Sequence, residues 1–334
     1  MPGRTTTTAL VLASVAAIAL AAIPAAFAAF AARAENPGNI VTAAPDFRPP
    51  LVTATAIGKT IGGATGFVKQ GATYYVYATV AADTGNPASG IAAVKANVET
   101  VTIGSTAVPL LAGTYSAGGV SYNYRSAALT AGGVLAEGAR TFKVTATDNA
   151  ANANTLNGEV TIDNTAPKAV DIQSANGGTT VGLAEEKDSL TYTFSEPVEP
   201  ESILVGWTGA ATNVTVRVVD NGLLATGNDA VQIYDSTNAT LLPLGTVDLG
   251  RGDYAAGLLG GTYRFVNSKM TISGNTITIV FGAYSSTIIV DAGRTTAAAT
   301  GTMTWTPVAT PYDRAQNAMS TTAAIESGAA DKEF

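Results

Sequence analysis

The sequence predicts a mainly β protein, with two antiparallel β-sandwiches in tandem preceded by one hydrophobic N-terminal helix. Three observations lead to this fold class. Charged residues make up 13% of the 334 residues, against about 25% in an average globular protein. Short segments rich in Val, Ile, Thr and Tyr are separated by turn residues about every 8–12 positions, as in sandwich domains. The motif D-x-A-x-N-A occurs twice, at residues 148–153 and 313–318, and we interpret it as the last hairpin of a sandwich, used twice.

The composition excludes several functional classes. The chain has no cysteine and no histidine, which rules out disulfides, thiol chemistry, the Ser-His-Asp triad and the usual zinc sites. Its net charge of −7 argues against nucleic acid as a partner, because phosphate binding needs a basic face. An enzyme that uses only carboxylates or a Ser-Lys pair stays open. We expect a non-enzymatic protein without a cofactor.

Residues 1–34 form a hydrophobic segment with two interpretations. No charge occurs from Thr5 to Ala32, and the segment ends in A-R-A, which fits the small-x-small cleavage pattern of a secretory signal peptide. The apolar run is also about as long as the roughly 20 residues that span a bilayer. A retained helix, inserted in a membrane or packed in the core of a filament, is therefore the alternative. Residues 35–50 are predicted as a linker that ends in two prolines.

Two prolines divide the rest of the chain. After Pro50 we place the first sandwich at residues 51–165, and after Pro167 a larger second sandwich at residues 166–326, followed by a tail at 327–334. The clearest strand is T-Y-Y-V-Y-A-T-V in the first sandwich, because tyrosine and valine favour a pleated, half-buried surface. In the second, M-T-I and T-I-T-I-V-F flank S-G-N and predict a hairpin.

Several phrases resemble the bacterial immunoglobulin-like (Ig-like) repeats of surface and secreted proteins. They are Y-Y-V-Y-A-T-V, D-T-G-N-P-A-S-G-I, F-K-V-T-A-T-D-N-A-A-N and V-T-I-D-N-T-A-P-K, and T-F-S-E-P-V in the second sandwich is similar. The resemblance implies Ig-like sandwiches that serve as spacers, adhesin stalks or fibre building blocks, without catalysis. The run N-P-G-N-I-V-T-A at residues 36–43 resembles the start of exported fibre-forming matrix proteins.

Oxygen-rich side chains near the predicted domain junction form a candidate calcium site, since calcium takes 6–8 oxygen ligands. The residues are Asp148, Asn149, Asn152, Asp163 and Asn164. The alternative is turn formation, because Asp and Asn bond their own backbone in turns. A cluster of acids could act as acid and base in glycoside cleavage, or form a solvated strand edge that discourages pairing; its members are Glu185, Glu186, Asp188, Glu196, Glu199 and Glu201.

Aromatic residues give a third candidate, a platform for polysaccharide, against the alternative that they belong to the cores. They are Tyr74, Tyr75, Tyr77, Tyr122, Tyr124, Trp207 and Trp305. Taken together, the sequence predicts an extracellular or cell-surface structural protein that self-associates into a fibre, pilus-like filament, stalk or matrix. A polysaccharide- or partner-binding adhesin module is the alternative.

Overall fold

A computed structural model describes residues 46–59, 64–84, 88–221, 227–256, 261–285 and 293–334, together with the backbone of two short strands before them. These are β1 (Ala34–Asn36) and β2 (Asn39–Val41), which pair antiparallel within the predicted linker. The helix predicted for residues 1–34 lies outside the described residues except for Ala34, which is a strand residue. In the described ranges, no helix has the length and apolar character required to cross a membrane.

The first sandwich is built from nine strands within its described residues. They are β3 (Val52–Gly58), β4 (Phe67–Val68), β5 (Thr73–Val80), β6 (Ile91–Asn97), β7 (Val108–Ala117), β8 (Val120–Ser126), β9 (Leu129–Thr130), β10 (Gly138–Asp148) and β11 (Ala153–Ile162). Their hydrogen-bonded order is β3-β5-β8-β7-β6-β10-β11-β4, and β9 pairs with β5. All pairs are antiparallel except the short β11–β4 pair. The path folds over so that β3 packs against β11, which encloses one core.

The second sandwich continues after Pro167 with twelve strands in the described part of the chain. They are β12 (Ala169–Ala175), β13 (Ser189–Phe194), β14 (Thr212–Asp220), β15 (Ala230–Asp235), β16 (Thr246–Asp248), β17 (Ala255–Ala256), β18 (Gly261–Ser273), β19 (Thr276–Val280), β20 (Ala283–Ser285), β21 (Gly293–Arg294), β22 (Thr304–Thr306) and β23 (Ala324–Ile325). The order of the main sheet is β12-β13-β19-β18-β14-β15-β16-β22-β23, with β20 on β18 and a separate β17–β21 pair. One short helix, α1 (Pro200–Ile203), follows β13. The mainly β prediction is confirmed.

Two cores follow from the alternation of side chains along the strands. In β5, Tyr74, Val76, Ala78 and Val80 occupy every second position and are all buried in the first core. In the second core Trp305 is fully buried. Its ring meets those of Tyr192 and Phe194 edge-on, with centroids 5.0 Å away in each case, and its Nε1 donates to the Leu244 carbonyl at 2.6 Å. Buried Trp needs such a partner for its N–H group, so this bond fixes the ring in place.

The two sandwiches meet end to end. Strands β10 and β11 run the length of the first sandwich, so the turn between them and the end of β11 lie at opposite ends, about 30 Å apart at roughly 3.3 Å per residue. The end of β11 leads directly into the second sandwich. The segment predicted as a tail, 327–334, packs against the far end of that second sandwich, and its last two residues, Glu333 and Phe334, are buried.

Candidate functional site at the ends of the sandwiches

The two D-x-A-x-N-A turns have the same internal hydrogen bonds. In the first, Asn152 donates from its backbone N to Asp148 Oδ1 and from Nδ2 to Asp148 Oδ2, both at 2.8 Å. In the second, Asn317 donates to Asp313 in the same way, again at 2.8 Å for both bonds. The residue before each asparagine has a positive φ, 69° in one turn and 70° in the other. The repeated motif is therefore a repeated three-dimensional turn.

Each turn holds the chain segment that enters its own sandwich. Asn152 Nδ2 also donates to the Asp46 carbonyl at 3.1 Å, and Asn317 Nδ2 donates to the Asp163 carbonyl at 3.0 Å. Asp46 precedes the first sandwich and Asp163 precedes the second. Because an asparagine on the last turn fixes the backbone before the first strand, the motif sets the direction in which the chain enters each domain. We call this arrangement the asparagine clamp.

An acidic triad accompanies each clamp. Asp46, Asp83 and Asp148 form the first, and Asp163, Glu196 and Asp313 form the second; in each, one carboxylate oxygen from every member lies within 4.8 Å of the others. The calcium prediction missed Asp46, Asp83, Glu196 and Asp313. A usable signal was present for Asp46, since an aspartate stands four positions before Pro50, as Asp163 does before Pro167.

The first triad is supported by backbone donors. Asp46 accepts from Arg48 N at 3.0 Å and from Ser89 N at 2.9 Å, and these two N–H groups lower the pKa of Asp46. Asp83 accepts from Gly90 N at 2.8 Å. The backbone hydrogen bonds therefore favour the charged form of Asp46, and the bonds to Asp46 and Asp83 organise loops at the end of the first sandwich away from the junction.

The second triad, at the junction, has a carboxylate oxygen without a hydrogen-bond donor in the described part of the chain. Glu196 Oε1 is buried and has no hydrogen-bond partner among the described residues. Burial, together with the neighbouring carboxylates Asp163, Asp313 and Glu137, raises the pKa of Glu196 to about 7. Burial also raises the pKa of Asp163. Three carboxylates at this spacing favour either a proton on Glu196 or a bound cation.

The five residues predicted as one calcium site lie at two separate places. Asp148, Asn149 and Asn152 are at the free end of the first sandwich, so placing them near the junction was wrong; only Asp163 and Asn164 are there. The reason is the length of β11, which separates the two groups. Calcium binding itself stays a prediction.

The two predicted asparagines that lie outside the clamps use their amides on neighbouring loops. Asn149 donates to the carbonyls of Ser89 and Gly90 at 2.8 and 3.2 Å, and Asn164 Nδ2 donates to the Leu135 carbonyl at 2.9 Å. The acceptors are 60, 59 and 29 residues away in the chain, so these two amides join separate loops and do not bond the backbone of their own turns.

Two lysines of the first sandwich reach into the second turn. Lys59 Nζ donates to the carbonyls of Phe67 and Arg314, both at 2.7 Å, and Lys69 Nζ donates to the Gln316 carbonyl at 2.5 Å. Lys59 is only 8% exposed. Burial lowers its pKa to about 8, and the negative charges of Glu199 and Asp313 oppose that shift. Arg314 and Gln316 lie in the D-x-A-x-N-A turn of the second sandwich, so the two lysines connect the domains through the backbone of that turn.

Two further contacts cross the junction. Ala64 N donates to Glu199 Oε2 at 3.0 Å, and the Arg314 guanidinium lies over the Phe67 ring, 5.6 Å from its centroid. Nothing in the sequence marked Lys59 or Lys69, because a lysine that binds backbone carbonyls needs no particular neighbours in the chain. The junction is therefore held by contacts from both sandwiches and not by the linker alone.

The predicted acidic cluster is divided between both ends of the second sandwich. Glu185 Oε2 accepts from Thr179 N and Thr180 N, both at 2.7 Å, and Asp188 Oδ1 accepts from Gly177 N at 2.9 Å, all in the loop before β13. Glu196 and Glu199 lie after β13, at the junction. Acid and base roles for this set would need the carboxylates to flank one substrate, and the structure separates them by the length of a strand.

The predicted aromatic platform is divided among several places. Tyr74 and Trp305 are fully buried in the two cores, and Trp207 is 5% exposed with its Nε1 donating to the Ala210 carbonyl at 2.6 Å. Tyr77 and Tyr122 are buried together on the outer face of the first sandwich, with ring centroids 5.4 Å apart.

The remaining two platform residues are half-buried. Tyr75 lies beside that outer cluster and Tyr124 packs against the first core. The seven residues thus form no continuous exposed surface, and the interpretation of most of them as core or strand residues fits their burial.

Comparisons with known proteins give little further identification. No family model matches the chain, and no curated protein matches it. Among solved structures, the chain is similar to one described as "Structures of Clostridium thermocellum CbhA fibronectin(III)-like modules", with 15% sequence identity and a TM-score of 0.24. The match covers 54% of this chain and 84% of that one.

Proposed function

We propose that this chain is a non-enzymatic structural protein of the cell surface or extracellular space, in which two Ig-like sandwiches act as building blocks of a fibre, pilus-like filament, stalk or matrix. The observation that carries the proposal is the end-to-end junction. Lys59, Lys69 and the clamp residue Asn317 all bind backbone carbonyls across or beside it. Such contacts transmit force and orientation between the domains. Because their acceptors are backbone carbonyls, they do not depend on particular acceptor side chains.

The chemistry of the described residues supports the same conclusion. The acidic side chains of the first triad and of the loop before β13 accept backbone hydrogen bonds and organise turns. The chain has no histidine or cysteine to act as base or nucleophile. Low charge and many small residues also suit close packing between copies, because few charged groups must then lose water.

Electron microscopy of material isolated from the native source tests the proposal. We expect fibres or regular arrays, and N-terminal sequencing of the same material decides whether residues 1–34 are removed or stay within the assembly. Dispersed monomers from native material, at all concentrations and salt conditions tried, would contradict self-association. Hydrolysis of a polysaccharide by the purified chain would contradict the non-enzymatic assignment.

The alternative is an adhesin module that binds polysaccharide or a protein partner. Burial of the predicted aromatic platform removes the observation that favoured a carbohydrate surface. A glycan array with the purified chain separates the two functions, since a fibre subunit is expected to show no saturable binding to any glycan on it.

A further inference from the structure

A third group of acids lies at the far end of the second sandwich, away from the junction. Glu326, Asp331 and Glu333 each place one carboxylate oxygen within 4.8 Å of the others. Glu326 follows β23, and the Asp331 carbonyl accepts a hydrogen bond from Gly301 N at 2.7 Å, which ties this segment to the sandwich. We call these three residues the distal triad.

One member of the distal triad has a buried oxygen without a partner. The Glu333 side chain is 0% exposed. Its Oε2 accepts from Ser174 Oγ at 2.6 Å, while Oε1 has no hydrogen-bond partner among the described residues. A buried carboxylate oxygen that lacks a donor is unfavourable, so its retention in the folded chain calls for a compensating group.

Acids lie close to the Glu333 carboxyl group. Glu326 shares a side-chain hydrogen bond with it, and the charges of Glu326 and Asp331 act on it, while Asp331 and Asp171 act on Glu326. Several carboxylates in one partly buried place require a proton or a cation as compensation.

The distal triad has the form of a calcium site open to solvent on one side. Burial decreases in steps from Glu333, which is fully buried, to half-buried Glu326 and exposed Asp331. Glu326 Oε2 accepts from Met303 N at 2.9 Å, which orients that carboxylate beside Glu333. Calcium binds 6–8 oxygens and accepts waters among them, so the three carboxylates supply part of the ligand set and solvent on the side of Asp331 supplies the rest.

We propose that Glu326, Asp331 and Glu333 bind one calcium ion, which fastens residues 326–334 to the second sandwich. The neighbouring packing shows what the ion would stabilise. Glu333 N donates to Tyr254 Oη at 2.7 Å, and the Phe334 ring lies 5.9 Å from the ring of Tyr254 and 5.2 Å from that of Phe281. A cation at the distal triad holds this aromatic contact in place.

The test uses the full chain after treatment with EDTA. Calcium titrated by calorimetry is expected to bind with one dominant site and to raise the melting temperature of the second sandwich. Terbium gives a second readout, because Tyr254 next to the site should sensitise its emission. Glu333→Gln is expected to weaken calcium binding at least tenfold and to abolish the melting shift. Asp331→Asn, at an exposed position where we expect no effect on folding, is expected to weaken binding at least threefold.

Matched variants of the other two triads locate the ion. Asp83→Asn and Glu196→Gln are expected to leave calcium binding at the distal triad unchanged. Absence of any heat or melting shift with calcium would overturn the proposal and leave a shared proton as the compensating charge. A calcium response that survives both Glu333→Gln and Asp331→Asn but is lost in Glu196→Gln or Asp83→Asn would also overturn it, and would place the ion at one of the asparagine clamps.

Discussion

Lys59 of the first sandwich donates a hydrogen bond of 2.7 Å to the backbone carbonyl of Arg314 in the second. A nearly buried ammonium group that binds carbonyls of both domains makes part of each domain's folding depend on the other. The same lysine binds the Phe67 carbonyl in β4, and the next residue of that strand, Val68, belongs to the first core. The junction is thus an extension of both domains, and the properties of each should respond to changes in its partner.

Replacing this lysine should loosen the junction. In Lys59→Met the side chain keeps its length, while the Phe67 and Arg314 carbonyls lose a donor. We expect a loss of about 1–3 kcal/mol in the free energy of unfolding, because the penalty for unpaired carbonyls exceeds the gain from removing a buried charge. Calorimetry should show that the unfolding transitions of the two sandwiches, close together in the native chain, move apart. Lys143→Met on the exposed face of β10 is the control and should change neither transition. Equal stability of Lys59→Met and the native chain would show that the lysine does not couple the domains.

The two asparagine clamps permit a matched comparison. Asn317→Ala and Asn152→Ala each remove two side-chain hydrogen bonds of the same kind, one to the turn aspartate and one to the entering backbone. Each should destabilise its own sandwich by about 1–3 kcal/mol. Only Asn317→Ala should change the orientation of the sandwiches, because only that clamp lies between them.

Spin labels measure this difference directly. The chain has no cysteine, so Lys143→Cys and Ser236→Cys introduce one label in each sandwich without background labelling. The distribution of distances between labels should be narrow in the native chain and in Asn152→Ala, and broad in Asn317→Ala. Equal distributions in all three would show that the clamp does not set domain orientation.

The features that the sequence predicted are those coded over short distances. The alternation in β5 was visible in eight consecutive residues, and the repeated turn was visible as a six-residue motif, because its bonds join an aspartate to an asparagine four positions later. The partner of that asparagine was not visible. Asp46 lies 106 positions before Asn152, and only the folded sheet brings the two together.

The start of one strand could not be predicted from the sequence, because the backbone conformation of a single glycine determines it. The apolar residues at 241–249 suggest one continuous strand, but β16 covers Thr246–Asp248 only. Gly245 interrupts it with a φ of 81°, and a side chain there would stand 2.1 Å from the Thr306 carbonyl oxygen. Hydrophobic pattern does not report a glycine's φ, so a buried loop and a strand have the same appearance in the sequence.

The stability of the second sandwich should depend on the indole N–H group of the buried Trp305. Trp305→Phe removes the donor to the Leu244 carbonyl and part of the surface in contact with Tyr192 and Phe194. We expect a loss of about 2–4 kcal/mol in the unfolding free energy of the second sandwich, from the cavity and the unpaired carbonyl together. The first sandwich should unfold at its native denaturant concentration, unless its transition follows the second through the junction. Trp207→Phe, at the surface end of the same core, should cost less. A smaller effect for Trp305→Phe than for Trp207→Phe would contradict this ranking.

Asp229 should make the stability of the second sandwich depend on pH. Its side chain is fully buried, Oδ2 accepts from Tyr254 N and Ala255 N at 2.8 Å each, and Oδ1 has no partner among the described residues. Burial, together with the charges of Asp220 and Asp253, raises its pKa to about 6. Between about pH 4 and pH 6, Asp229 is therefore protonated in the folded state, whereas in the unfolded state, with an ordinary pKa near 3.8, it has lost its proton. The contribution of Asp229 to the free energy of unfolding is therefore largest below about pH 4 and is lost as the pH rises to about 6. The total change is at most about 3 kcal/mol.

Asp229→Asn isolates this dependence. Asparagine mimics the protonated acid, so the difference in unfolding free energy between Asp229→Asn and the native chain should increase in favour of the variant from pH 4 to pH 6 and then stay constant. Asp235→Asn is a control with the opposite sign. The Ala239 N–H group donates to Asp235 and lowers the pKa of that carboxyl group. The Asp235 carboxylate therefore stabilises the folded state above its ordinary pKa, and this stabilisation is lost as the pH falls below that value. Urea unfolding from pH 3 to pH 8 measures both. A constant difference between Asp229→Asn and the native chain across that range would mean that Asp229 titrates alike in the folded and unfolded chain, and that its burial is compensated by something other than a proton.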